Sequence, residues 1–262
     1  TNNDVIKNTA DDETDYVVPL PFWFCKRYSS ALPLISLIYH QVRVIIKLND
    51  FSKCVLYDGL SEPDPVKILN PYILADYIFL EDSVKLKLKS KPQRLLIEQV
   101  QSKDTDGEDS NSSTGIFKTS LPFNHPVKEL LWVFIEDESM DNNDVFNYSK
   151  RNLVPFTKVL SLMKNAKLNI DGKDYTELKE EITYRVVSNH KNITDKHIYT
   201  LPFCLFPEDI EPSGTLNFSK IDIVNLYGEM RTPTPPNKMY VFAINYNWLN
   251  IQNGLSSLMF IT

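Results

Sequence analysis

LPFCLFPEDIEPSGTLNFSKIDIVNL, residues 201–226, is the stretch whose reading decides the fold. It opens with an apolar strand, passes through a proline-punctuated loop to a tight turn at Ser213-Gly214, and resumes with apolar residues at Leu216, Phe218, Ile221 and Ile223. Polar residues alternate with these, as in a strand with one face buried, and the slip between Phe218 and Ile221 predicts a bulge within that strand. Nothing here can do acid-base or nucleophilic work, because Asp222 has no His or Cys within reach in sequence. The stretch reads as architecture.

The composition around it agrees. Apolar residues make up 42% and charged residues 24% of 262 positions, ordinary values for a chain with a packed core. Proline outnumbers glycine 16 to 7, and the 13 Tyr and 14 Phe suit pleated surfaces better than helices. Short aromatic strands joined by proline-rich loops predict an all-β sandwich.

Charge and cysteines exclude several function classes. A formal net charge of −6 speaks against a general nucleic-acid coat or an anionic-membrane anchor. KLKLKSKPQR, residues 85–94, is the one basic run; it reads as an exposed linker pinned by Leu86 and Leu88, with a phosphate-binding patch as the other reading. Cys25, Cys54 and Cys204 are odd in number and lack zinc-site spacing, so they are expected as small hydrophobes in or beside strands, in a reducing compartment such as cytoplasm. Residues 240–262 carry no charge, yet Asn245, Asn247, Asn250, Gln252 and Asn253 would place amides at membrane depth. One or two buried closing strands are expected there instead of a transmembrane segment, and no signal peptide is legible.

Along the chain, residues 1–15 read as a polar lead-in. YVVPLPFWFCKRY from Tyr16 is an aromatic strand interrupted by prolines. Tyr39 to Ile46 alternates well, Val55-Leu56-Tyr57 suggests a short rung, and Ile73 to Leu80 is again strand-like. After the basic link, Leu95 to Gln101 opens the next set of strands. Residues 101–115 and 137–160 are polar, acidic stretches expected as exposed loops. Asp171-Gly172 predicts a hairpin tip within 166–175, and 176–189 has helical spacing. His125, between Asn124 and Pro126, is expected as a turn residue.

No nucleophile elbow, phosphate loop, dinucleotide fingerprint or HExxH motif occurs. His40, His125, His190 and His197 are not spaced for a metal-binding jelly roll, so no catalytic residue, metal or cofactor is expected. A carbohydrate-binding β-sandwich is the alternative from another class; Trp23, Trp132 and Trp248 would be its stacking surfaces, although their apolar settings favour core packing. Asn111, Asn147, Asn192 and Asn217 satisfy the glycosylation sequon, the first three in loops and the last in a strand where a glycan has no access.

PSGTLNFSKID (212–222) is similar to the "PSGTxNFSRID" signature of the major capsid proteins of nucleocytoplasmic large DNA viruses, which include chlorella-virus capsids. LPFWF with ALPLISLIYHQVRV resembles "PLxFWF…GLALPLIALQYHEVKV", departing at Ser30 and Gln41. DYIFLE, LLIEQVQ, LPFNHPVKELLW and the closing MYVFAINYNWLNIQNG resemble "DYIFLD", "YLIEQLQ", "LNFNHPTKYLAW" and "IYAxNYNVLRIMSG", in the family's order.

The resemblance implies a double jelly roll represented by its C-terminal part: residues 1–82 as a lead-in and the last strands of the first roll, 83–94 as linker, and 95–262 as the second roll. It implies a homotrimeric, nearly hexagonal capsomer in an icosahedral virion shell, assembled in host cytoplasm. Its partners would be neighbouring capsomers and minor capsid proteins, with no direct nucleic-acid contact. A minor capsid or scaffold protein of the same fold is the runner-up. Some family members carry glycans, so Asn111, Asn147 and Asn192 remain candidates.

Overall fold

A computed structural model of the chain describes residues 16–50, 53–54, 68–105, 110–111, 115–150, 160–188, 196–231 and 235–260, with only the backbone described at 104, 105, 110, 111 and 150. The chain divides into two units, Thr1–Leu32 and Pro33–Thr262. In the first, the expected aromatic strand is replaced by two 3₁₀ turns, Trp23–Cys25 and Tyr28–Ser30. Pro19 and Pro21 remove two backbone donors just where a ladder would need them. The rings of Phe22 and Phe24 stack at 5.0 Å.

The second unit starts with a 3₁₀ turn at Leu34–Ser36, and no described residue from there to Leu80 belongs to a strand. The strands expected at 39–46 and 73–80 are therefore unpaired, and Val55-Leu56-Tyr57 lies outside the described residues. Helix α1 spans Asp82–Ser90, so most of the basic run is helical. Asp82 sits in its first turn and Lys87 and Lys89 in its last, which suits the helix dipole. The hydroxyl of Ser36 donates to the Leu88 carbonyl, and Leu88 is half-buried, whereas Leu86 is exposed.

The sandwich follows. Its strands are β1 (Gln93–Thr105), β2 (Ser110–Asn111), β3 (Ile116–Ser120) and β4 (Pro126–Glu136), then a short helix α2 (Asp137–Asp141). Next come β5 (Ser149–Lys150), β6 (Leu160–Ser161), β7 (Met163–Ile170), β8 (Lys173–Asp174) and β9 (Lys179–Glu180). The helical spacing at 176–189 yields a π-helical turn at Thr183–Val187, shorter than expected. The chain then forms β10 (Tyr199–Pro202), β11 (Leu216–Asn217), β12 (Val224–Met230), β13 (Asn237–Gln252) and β14 (Leu255–Leu258).

One sheet runs β1-β13-β4-β10, with β11 on β4 and β14 on β13; the other runs β2-β3-β12-β7-β8, with β9 also on β7. Successive long strands alternate between the sheets, and the last long strand lies between the first and third. That is the double Greek-key order of a jelly roll, closed with antiparallel pairs throughout the described ladders. The core lies between the sheets: Phe117 from β3 meets Phe134 from β4 at 5.2 Å, and Trp132 is enclosed by Tyr184 (5.1 Å) and Tyr199 (5.9 Å).

The stretch 201–226 proves to be the crossover between these sheets. Leu216 and Asn217 pair with β4 in one sheet, while Val224–Met230 pairs with β3 and β7 in the other. The slip between Phe218 and Ile221 is thus a 3₁₀ turn at Phe218–Lys220, not a bulge inside one strand. The Asn217 side chain accepts from the Ser219 N–H and caps that turn, while buried Phe218 anchors it to the core. The Asp171-Gly172 hairpin is as expected, both residues in the left-handed region (φ 48° and 82°). So is the uncharged closing strand, which forms β13 and turns through Asn253-Gly254 into β14.

Candidate assembly surface

In a two-sheet sandwich the inner side chains of a strand are apolar and the outer ones polar. β13 breaks that rule. Met239, Val241 and Ala243 enter the core, and the alternate row is Tyr240, Phe242, Ile244, Tyr246 and Trp248, larger and as apolar as the inner row. Its neighbours on the same outer face include Val133 and Ile135 of β4 and Val100 of β1, the last 65% exposed. Part of this face is covered from within the unit: the Tyr240 hydroxyl reaches the Met140 sulfur of α2 at 3.8 Å, and the Arg94 guanidinium lies over the Trp248 ring at 5.9 Å. A sheet apolar on both sides is built to be the middle of three layers.

The same face carries a buried charge pair. Where β4 slips register against β13, between Ile244 and Asn245, Lys128 turns outward, and its ammonium donates to Glu98 at 2.6 Å. The Lys128 side chain is 3% exposed and lies 5.6 Å from the centre of the Tyr246 ring. The Tyr246 hydroxyl is buried with no hydrogen-bond partner, and burial together with the nearby Glu98 charge pushes its pKa above the ordinary phenol value. Sequence reading missed this cluster, because only the register slip puts Lys128 there.

A second apolar surface belongs to the unpaired segments. Tyr39 (71%), Ile45 (79%), Tyr72 (80%), Leu74 (83%) and Phe79 (94%) are exposed, and so are most of the large apolar residues between and beside them that are described. One end of the first segment is fixed: Tyr39 N–H donates to the Gly254 carbonyl at 3.0 Å, and Ser256 N–H donates to His40 Nδ1 at 2.9 Å. A Cβ on Gly254 would stand 2.8 Å from the Tyr39 ring, so the β13–β14 turn needs glycine for this contact as well as for its φ of 80°. Beyond Tyr39 the segment holds strand-like apolar alternation with no sheet to receive it. Patches of this extent mark surfaces meant for contact.

The sequon residues are separated. Asn111 lies in β2, opposite Ile116; Asn192 falls outside the described residues. Asn147 is half-buried, its amide donating to Asp144 and its carbonyl oxygen accepting from Ser149 N–H and Oγ. Asn217 serves as the cap already described. His125 is a turn residue as expected, at φ 71°, its N–H bonded to Ser219 Oγ and its ring stacked on Phe260 at 5.8 Å; burial lowers its pKa. His40 and His197 lie apart from it on other elements, and His190 is outside the described residues. Cys25, in a 3₁₀ turn, and Cys54 are exposed, which corrects their expected place as small hydrophobes in or beside strands; Cys204 is half-buried, and burial pushes its thiol up. Trp132 is fully enclosed, which removes it as a sugar platform. Among the described residues no group of three or more His, Cys, Asp or Glu could hold a metal, and no helix is long and apolar enough to cross a membrane.

Comparison with known proteins follows the same outline. A family model described as the large eukaryotic DNA virus major capsid protein matches residues 85–257, and one described as the major capsid protein N-terminus matches residues 1–81. The chain is 27% identical to the major capsid protein of Phaeocystis pouchetii virus, over 95% of this chain and 65% of that protein. It is 26% identical to that of Paramecium bursaria Chlorella virus 1, over 94% of this chain and 66% of that one. It thus spans less than two thirds of these relatives. Among solved structures, a crystal structure of PBCV-1 VP54 fitted into a reconstruction of the virophage Sputnik superposes with a TM-score of 0.71 at 24% identity, covering 94% of this chain and 70% of the other. That likeness supports the jelly-roll assignment.

Proposed function

Because this chain belongs to the major capsid protein family of large eukaryotic DNA viruses, we propose that it is a structural subunit of an icosahedral virion shell. Its work is mechanical, without cofactor or catalytic step. The observation that carries this reading is a pair of apolar surfaces: the outer row of β13, covered only in part among the described residues, and the exposed, unpaired segments around Tyr39–Ile46 and Ile73–Leu80. Both call for further layers of protein, and a shell subunit surrounded by sister subunits supplies them.

In this reading residues 1–82 are the lead-in and closing strands of a first jelly roll, 83–94 the connection and 95–262 the second roll. Three such chains make a nearly hexagonal capsomer, because each contributes two similar rolls, and contacts of more than about 2,000 Å² are expected for an obligate assembly. Neighbouring capsomers and minor capsid proteins are the partners, nucleic acid is not contacted directly, and assembly takes place in host cytoplasm. The acidic stretches 101–116 and 137–155, which include the end of β1, β2, α2 and β5, form the outward end of the capsomer or line its threefold seam. In support, β1 ends at Thr105 opposite Met239 and β4 ends at Glu136 opposite Asn237, so the chain leaves both strands at the same end of the sheet. Glycans on Asn111 or Asn147 would stand at that end.

Quantitative mass spectrometry of purified virions tests the proposal. The expected result is that this polypeptide is the most abundant protein of the particle. Presence at a small fraction of another jelly-roll protein would reassign it as a minor capsid or scaffold component, and absence from particles would overturn the reading.

A further inference from the structure

The roll encloses a histidine beside β10. His197 immediately precedes β10 and is 4% exposed, and neither ring nitrogen has a hydrogen-bond partner. The charged groups facing it come from two elements. Glu181 and Arg185 stand on the helical turn before it, and Arg231 follows β12. The carboxylate of Glu181 is already engaged, accepting from Arg185 Nε at 3.1 Å with both side chains largely buried. The imidazole therefore sits among two guanidinium groups and one carboxylate that is committed elsewhere.

We propose that His197 is a proton-operated latch: the loop end of the roll is closed while the ring is neutral and loosens when it gains a proton. Side-chain bonds tie β10 to the turn before it and to β6. Thr200 Oγ1 donates to the Tyr184 carbonyl at 3.3 Å, and the Tyr199 hydroxyl is 2.6 Å from Ser161 Oγ. A cation on His197 would repel Arg185 and Arg231 and would have no acceptor for either N–H. The turn at 181–187 and the start of β10 would separate, letting water reach the ring.

The sign follows from the same geometry. Burial first and Arg185 second hold the ring below its ordinary value of 6.5, with Arg231 adding to this and Glu181 opposing it. A histidine depressed in the folded state leaves the unfolded chain with the higher proton affinity. Its contribution to stability is complete above about pH 6.5 and declines as pH falls through that value toward the folded pKa. This inference rests on the packing of the roll itself and is independent of the shell proposal.

Hydrogen exchange followed by mass spectrometry on the full-length protein, corrected for intrinsic pH dependence, tests it at residues 181–188 and 196–201. The wild type should exchange at least tenfold faster there at pH 5 than at pH 7.5, with β13 unchanged. His197→Gln should abolish that pH dependence. Arg185→Gln, which raises the proton affinity of the folded-state ring and frees Glu181 to accept from it, should shrink the difference between pH 7.5 and pH 5; Glu181→Gln should enlarge it. Wild-type exchange independent of pH, or equal pH dependence in wild type and Arg185→Gln, overturns the latch. The arginine variant decides the matter if His197→Gln fails to fold.

Discussion

Trp132 is where the packing of the roll can be weighed most sharply. Truncation to alanine removes a fully buried indole and two aromatic contacts, to Tyr184 at 5.1 Å and Tyr199 at 5.9 Å. Large-to-small changes of this kind cost about 3–5 kcal/mol, and each lost aromatic pair adds about 0.5–1.5 kcal/mol where the site cannot collapse. Opposing this, the Trp132 Nε1–H is buried without an acceptor, and its removal returns about 1–3 kcal/mol. The net expectation for Trp132→Ala is a loss of about 3–4 kcal/mol. Trp132→Phe keeps much of the ring contact and also removes the unsatisfied N–H, so it should lose less than about 1.5 kcal/mol. In urea, with a slope of about 3 kcal/mol/M for a chain of this size, the alanine variant should unfold about 1 M earlier and the phenylalanine variant within about 0.5 M of wild type. Far-UV circular dichroism reads the transition without depending on tryptophan. Equal losses in the two variants would refute the claim that the indole serves as packing and not through its N–H; no loss in either would refute its enclosure.

Gly228→Ala should lose at least about 2 kcal/mol, because a Cβ there would collide with the Asn165 carbonyl oxygen and the Phe117 ring, and a thermal melt reads this directly. Gly172→Ala, with open space around it and a φ of 82°, should cost only about 1–2 kcal/mol of backbone strain. Lys128→Met should cost about 2–3 kcal/mol by leaving Glu98 without its buried cation, and adding Glu98→Leu should recover all but about 1 kcal/mol; additive losses in the double variant would contradict the pairing.

Much of this was legible in the residues. The amides in the uncharged run of residues 240–262 pointed to closing strands, which β13 and β14 form, and Asp171-Gly172 pointed to the hairpin tip between β7 and β8. What periodicity cannot reveal is which sheet a residue faces. Leu216, Phe218, Ile221 and Ile223 look like one interrupted strand because an anchor on a crossover turn is as apolar as an inward strand position. The inward row of β12 begins only at Val224 and continues at Leu226 and Met230. The basic run hides its helix for a related reason: Lys and Leu alternate with a period of two, yet α1 forms there, its Leu88 carbonyl accepting from Ser36, 52 residues earlier, and from Gln93 just past the helix. Lys128 and His197 owe their settings to a register slip and to neighbours more than ten residues away, which no local pattern records.

The account depends on the apolar segments around Tyr39–Ile46 and Ile73–Leu80 being covered by protein in the working assembly. Amide hydrogen exchange over those residues in intact purified particles measures this directly. Protection lasting hours, comparable with that of β13, is the predicted result. Exchange within seconds, as in an unfolded peptide, would contradict it.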